Sequence, residues 1–286
     1  MKRFLFALLK ATRVISLLAW LNRGKATILC YHSVVEDGQP APHDPHKQHI
    51  RLSLFLEHLD HLQENYRVIP LDHFLRALRN KQRLPDYSIV LTFDDGFHDF
   101  FSVAAKELSE RQLPATVFII TGRADSTLPP NGESFLSWQE VEQLTRSGIQ
   151  VGSHTCSHPR LPDLSLAEVR RELADSRTAI LDHTKQADLP LSYPYGETSE
   201  PVSQLARSLG YSCGITGELG QNSSDADIFA LRRTVIASDD DLATFAARVS
   251  GLTEWVHRLR QIFRPEEVNE REPEASLACR SPANQT

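Results

Sequence analysis

The sequence is sparing with the features that most quickly classify a chain. Cysteine is scarce, with four in 286 residues (Cys30, Cys156, Cys213 and Cys279) and no CxxC pair. A disulfide framework is not expected, and the cysteines say nothing about compartment. Basic excess is missing as well. The net charge is −6 and no basic cluster occurs beyond the N-terminus, which argues against a nucleic-acid binder. Long apolar runs are absent. Within residues 1–21, Lys10 and Arg13 interrupt the apolar residues Phe4, Leu5, Phe6, Leu8, Leu9, Val14, Ile15, Leu17, Leu18 and Trp20, too short and charged a stretch to span a bilayer. No small-residue cleavage site follows, as a secretory signal would need, so a cytoplasmic or membrane-surface location is expected. On a helical wheel Arg3, Lys10 and Arg13 share one side. Residues 1–23 therefore read either as a basic amphipathic helix lying on a membrane surface or as a helix packed on the domain.

What is present is an ordinary globular composition, 41% hydrophobic and 24% charged, in a chain long enough to bury a real core. Strand-like apolar runs occupy 26–31, 66–69, 88–93, 115–121, 149–153, 189–193, 211–215 and 231–236. Between them lie segments with a helical period, such as Phe55, Leu59 and Leu62, then Phe74, Leu75 and Leu78. Ser137 with Glu140, and Ser165 with Glu168, are capping boxes that start two helices. Gly148 and Gly210 sit where helices should stop. A single helix is expected over 240–262. Strands alternating with helices predict an α/β fold with a parallel sheet, as a closed or distorted barrel or as an open sheet. The domain should span 24–262, its motif-bearing core 88–236. Residues 263–286, rich in Glu, Pro, Ser and Asn, read as a disordered tail.

Two motifs carry the chemistry. Asp94 and Asp95 end the run 88–93 and precede Gly96, and His154 and His158 follow the run 149–153. In parallel β/α folds functional groups gather at the C-terminal strand ends. Adjacent Asp residues can share one site only where the strand is ending, and Gly96 gives the backbone that freedom. Taken singly, one Asp could cap a helix and the two His could be surface residues. Together they offer one Asp and two His for a divalent metal and a second Asp for proton transfer, the inventory of a metal-dependent hydrolase. A third segment, Tyr193-Pro194-Tyr195-Gly196, makes a rigid rim that could supply a backbone N–H and a wall for a sugar.

These three segments, in this order, resemble the polysaccharide deacetylases, carbohydrate esterase family four, also called the NodB homology domain. The resemblance rests on Thr92-Phe93-Asp94-Asp95-Gly96, on His154-Thr155-Cys156-Ser157-His158 and on Pro194-Tyr195-Gly196. It implies a distorted parallel β/α barrel that removes N-acetyl groups from amino-sugar polymers with a divalent metal, usually zinc. Carried over, Asp94 is the general base, Asp95, His154 and His158 hold the metal, and the Tyr195 N–H, beside Pro194, helps to hold the oxyanion.

The chain departs from that pattern twice. Many members carry an Arg two residues before the Pro of the third segment, where this chain has Ser192. Many carry a late Leu-x-His whose His is the general acid, where this chain reads Leu231-Arg232-Arg233. His257, inside the expected last helix, is the only His after Tyr195. His32, ending the first strand run, is the replacement acid chosen here; its alternative role is to orient Asp94. His43, His46, His49, His58, His61 and His73 read as solvated loop and helix surface rather than a metal cluster. The expected function is N-acetyl hydrolysis on a glycan. A hydrolase of another acyl amide, a transferase holding Mg²⁺ or Mn²⁺, and an inactive domain that binds glycan or metal are the alternatives.

Overall fold

Short runs rich in β-branched and aromatic residues, buried on both faces, form the staves of a barrel; SIVLTF at Ser88–Phe93 is buried throughout. The computed structural model describes residues 14–39, 46–125 and 134–263. In chain order it begins with α1 (Val14–Leu21), β1 (Ala26–Tyr31), β2 (Ser33–Val35), β3 (His49–Arg51), α2 (Leu52–Asn65), β4 (Arg67–Val68), α3 (Leu71–Arg79) and β5 (Ser88–Phe93). A π-helical turn (Phe100–Ala104) then runs into α4 (Ala105–Glu110), followed by β6 (Ala115–Ile119), α5 (Trp138–Arg146), β7 (Gln150–Ser153) and α6 (Leu166–Thr184). The last elements are β8 (Pro190–Ser192), α7 (Glu200–Ser208), β9 (Cys213–Leu219), β10 (Leu231–Val235), α8 (Leu242–Val249) and α9 (Leu252–Phe263).

The pairing closes the sheet. β5, β6, β7, β8, β9 and β10 follow one another, all parallel, and β1 pairs β5 on one side and β10 on the other. Seven staves among the described residues thus make a distorted barrel, with a register shift between β9 and β10. The expected strand at 66–69 shrinks to β4, which pairs only Ser88 and Ile89 beside β6 and is no full stave. β2 and β3 form a separate parallel pair that the sequence pattern did not announce.

Both capping boxes form, with Ser137 accepting from the Glu140 N–H and Ser165 from the Glu168 N–H. Each such cap stabilises its helix by about 1 kcal/mol. The single helix expected over 240–262 is two helices. The chain turns at Ser250 and at Gly251, whose φ of 85° suits glycine alone. Residues 1–13 and 264–286, which hold Arg3, Lys10, Arg13 and the expected tail, lie outside the described residues.

Candidate metal centre and catalytic site

Each ligand is placed by the backbone just past a stave. After β5 the chain turns sharply, with Asp95 at φ 70° and Gly96 at φ 72°. A Cβ on Gly96 would lie 2.9 Å from the Ile119 side chain, so the turn requires glycine twice over, by conformation and by space. Asp94 is fixed at its N–H by the Tyr31 carbonyl of β1, 2.9 Å away. After β7 the chain curls through Thr155 and His158, both at positive φ. Glu172 of α6 holds that curl, accepting from the Cys156 N–H (3.0 Å), the Ser157 N–H (2.8 Å) and the Ser157 hydroxyl (2.7 Å). The Thr155 hydroxyl accepts from the His158 N–H at 3.0 Å.

The result brings Asp95, His154 and His158 together as the sequence predicts. Asp95 Oδ1 lies 3.5 Å from His154 Nε2 and 3.6 Å from His158 Nε2, and the two Nε2 atoms lie 3.2 Å apart. Ligands about 2.0–2.1 Å from a tetrahedral zinc ion sit about 3.3–3.4 Å from one another, so the three atoms fit such an ion without rearrangement. The His154 tautomer agrees. Its Nδ1 donates to the Ser192 carbonyl at 2.7 Å, which leaves Nε2 as the bare lone pair that coordination needs. His158 is pushed down to about 4, first by burial and then by the neighbouring His154, and is therefore a neutral donor at physiological pH.

Asp94 is fully buried and faces a partner the sequence reading missed. Arg233 of β10, also buried, donates through Nη1 to Asp94 Oδ2 and, at 3.0 Å, to the Ser192 hydroxyl. That hydroxyl donates in turn to Asp94 Oδ2 at 3.1 Å. Burial alone would raise the Asp94 carboxyl, but Arg233 together with His154 and His32 outweighs it and holds the group well below the usual carboxylate range. Asp94 Oδ1 has no hydrogen-bond partner. The base expected from sequence is thus ionised and has one oxygen free. Ser192 and Arg233, the two positions at which the chain departs from the resemblance, bond to each other and to the same Asp94 oxygen. The signal was strand parity, because Arg233 shares its face with the buried Leu231.

His32 follows β1, and its ring reaches the group formed with Cys30 and Asp94. It makes no hydrogen bond to Asp94, whose orientation comes from Arg233 and Ser192, so the orienting role is not observed. Its Nδ1 is buried and has no partner. Burial lowers its pKa, with Asp95 and Asp94 working in the opposite direction. Cys30 lies beneath, its thiol raised by burial and 3.3 Å from Arg233 Nη1.

Tyr195 stands on the rim, 55% exposed, at φ 58°. Its ring packs 4.7 Å from that of His158, and the Arg160 guanidinium lies 4.3 Å above it. Pro194 is buried beneath it. The close approach of Gly196 to Gly217, where a Cβ would lie 2.2 Å from the Gly217 Cα, fixes this turn against β9.

Other predicted positions stay apart from this group. His257 lies exposed on α9. His58 is not surface. It is fully buried, with Nε2 2.9 Å from the Asp240 carbonyl and its ring stacked 3.9 Å from Phe245, and burial pushes it down to about 4. As i+3 from Phe55 it shares the buried helix face. His49 is also buried, with Nδ1 2.7 Å from the Ser33 hydroxyl. His43 lies outside the described residues.

Comparison with known proteins points the same way. A family profile described as polysaccharide deacetylase matches residues 81–214. YxkH of Bacillus subtilis, a presumed polysaccharide deacetylase, is 26% identical over 238 residues, 82% of this chain and 80% of that one. The poly-β-1,6-N-acetyl-D-glucosamine N-deacetylase of Escherichia coli K12 is 25% identical over 80% of this chain, which spans only 39% of the relative. The Streptococcus pyogenes deacetylase PplD, solved with acetate, shares the fold with a TM-score of 0.69 at 24% identity, covering 79% of this chain and 99% of that one. The matched residues contain the Asp pair, the His pair and the rim turn, on the barrel that solved structure shares, and over residues 81–214 the chain is similar to the polysaccharide deacetylases.

Proposed function

We propose that this chain is a polysaccharide deacetylase that holds one divalent ion on Asp95, His154 and His158 and hydrolyses N-acetyl groups on the amino sugars of a glycan. The observation that carries the reading is the convergence of three ligand atoms at zinc spacing beside an ionised, buried carboxylate with one free oxygen. Two imidazoles favour zinc-like ions over the hard cations, which prefer oxygen ligands. When bound, such an ion supplies Lewis acidity, polarising the acetamide carbonyl and acidifying a water molecule at its open position.

The chain's own groups divide the rest of the work. Asp94 Oδ1 takes the proton of the attacking water, while Arg233 and Ser192 hold Oδ2 and keep the carboxylate ionised until then. The Tyr195 N–H is assigned to the developing oxyanion, and its ring offers a wall for the sugar. The amine must leave protonated, because an amide anion is too costly to expel. His32 is the group proposed to deliver that proton, since its ring reaches Asp94 and its Nδ1 is uncommitted. Acetate and a free amino sugar are the products.

Acetate release from N-acetylglucosamine oligomers, before and after chelation and with zinc restored, tests the reading. Chelation should abolish release and zinc should recover it. His154→Ala and His158→Ala should each lose the metal by elemental analysis. Full metal content in the double His variant, or undiminished release after complete chelation, would remove the central claim. In the same assay His32→Ala should lower turnover more than roughly tenfold with metal retained, whereas His257→Ala should do little. An indifferent His32→Ala in an active enzyme would assign the proton to another donor.

A further inference from the structure

Four of the seven large hydrophobic side chains exposed among the described residues occupy two contacting helices far along the chain from each other. Leu17, Trp20 and Leu21 of α1 are 56%, 49% and 60% exposed, and Trp255 of α9 is 52% exposed. The first three stand at i, i+3 and i+4, one continuous stripe of a helix. The opposite side of α1 is docked. Leu18 packs with Ala247, Leu252 and Val256 of α8 and α9, and Asn22 Nδ2 donates to the Ser250 carbonyl at 3.2 Å. Of the two roles offered by the sequence, packing on the domain is seen on one side of α1, and the other side is left exposed.

Charge says what would cover this patch. Lys2, Arg3, Lys10, Arg13, Arg23 and Lys25 precede the first acidic residue, Glu36, in a chain whose net charge is −6. The Arg23 guanidinium lies 4.3 Å over the Trp20 ring. Arg258 and Arg260 are exposed on α9, Arg258 one turn from Trp255, and the one acid of that helix, Glu254, is buried against Arg258 and the Gln221 N–H. Indoles flanked by cations suit the headgroup layer of an anionic bilayer, where the ring finds apolar contact and the guanidinium finds phosphate. No helix among the described residues is long and apolar enough to cross a membrane.

We propose that the α1–α9 corner docks peripherally on an anionic lipid surface, with Leu17, Trp20, Leu21 and Trp255 entering the interface and the cations beside them meeting lipid phosphates. The patch sits by the N-terminal ends of the staves, since the Arg23 carbonyl accepts from the Tyr87 N–H that leads into β5. The catalytic groups follow the C-terminal ends. Docking would leave the rim of Tyr195 facing away from the bilayer, toward a glycan outside the lipid layer.

The test is sedimentation of the full chain with vesicles of phosphatidylcholine alone and with about one third phosphatidylglycerol. Two of the three tryptophans of the chain lie on the patch, so their emission reads docking independently. Binding should require the anionic lipid, weaken as salt screens the cations, and shift the emission to the blue. The double variant W20E/W255E should lose binding by roughly tenfold or more, with metal content and thermal midpoint unchanged. A full chain that stays in the supernatant with anionic vesicles overturns the proposal, as does a double variant that binds like the parent. A concentration-dependent dimer in light scattering, abolished by W20E/W255E, would assign the patch to a second copy and overturn it as well. None of these readouts depends on deacetylation.

Discussion

Removing Arg233 would strand a carboxylate among buried groups that cannot solvate it. Breaking a buried ion pair from one side costs about 3–5 kcal/mol, so Arg233→Met should lower the unfolding free energy measured in urea by that order. Asp94→Asn in the same background should recover part of the loss, because no charge is then left unpaired. Coupling between the two substitutions of roughly 1–3 kcal/mol is expected; simple additivity would show that the two groups do not act as a pair. Asp94→Asn alone should keep the metal and lose roughly 10² to 10⁴ in rate. Both Asp residues and both His residues were legible because each motif ends a strand run. Arg233 was not, because an Arg-Arg pair in a short strand reads as surface charge unless its parity with Leu231 is followed. His58 was misread for a related reason. Its residue type suggested solvent, while its place on the Phe55, Leu59 and Leu62 face dictated burial.

Among the elements, the small β2–β3 pair is tied to the barrel through Asp99. Ser33 of β2 donates to Asp99, at the entry to the π-helical turn, and meets the His49 ring of β3. Burial pushes the Asp99 carboxyl up from 3.8 to about 6, against the opposing pull of the Ser33 hydrogen bond. Between those two values the native chain keeps a proton that the unfolded chain has released. This contribution to stability is therefore complete below about pH 4 and is lost as the pH rises through about 6. Urea unfolding at several pH values should show that decline, and Asp99→Asn should flatten it. An unchanged pH profile in the variant would place the Asp99 carboxyl at its ordinary pKa. The pair itself was invisible in the sequence, since three residues are too few to display a period of two. The split of the last helix was foreshadowed by Ser250-Gly251 but overridden in the reading by the apolar pattern on either side.

For the whole molecule, the metal ligands come from loops after β5 and β7 that lie far apart in an unfolded chain, so ion binding should stabilise the barrel as a unit. Zinc at a hundredfold excess over its dissociation constant would add about 2.7 kcal/mol, raising the melting temperature by about 5–10 °C for a chain of this size. Calorimetry with and without chelator checks this, and His154→Ala should be unresponsive. An equal response in that variant would mean that the stabilising ion sits elsewhere. The sequence showed the run of staves but left a barrel and an open sheet equally plausible, because closure lies in the pairing of β1 with β5 and β10 and no local pattern records it. That pairing has a consequence for the order of assembly. Leu29 meets its β10 partner, Thr234, only after some 200 further residues have been made, roughly 10–40 s of synthesis. Until then β1 presents a bare edge, and Asp94 is without the cation that belongs to it. Completion of the last stave covers that edge and neutralises the carboxylate in one event, so a nascent chain has no finished site before its barrel has shut.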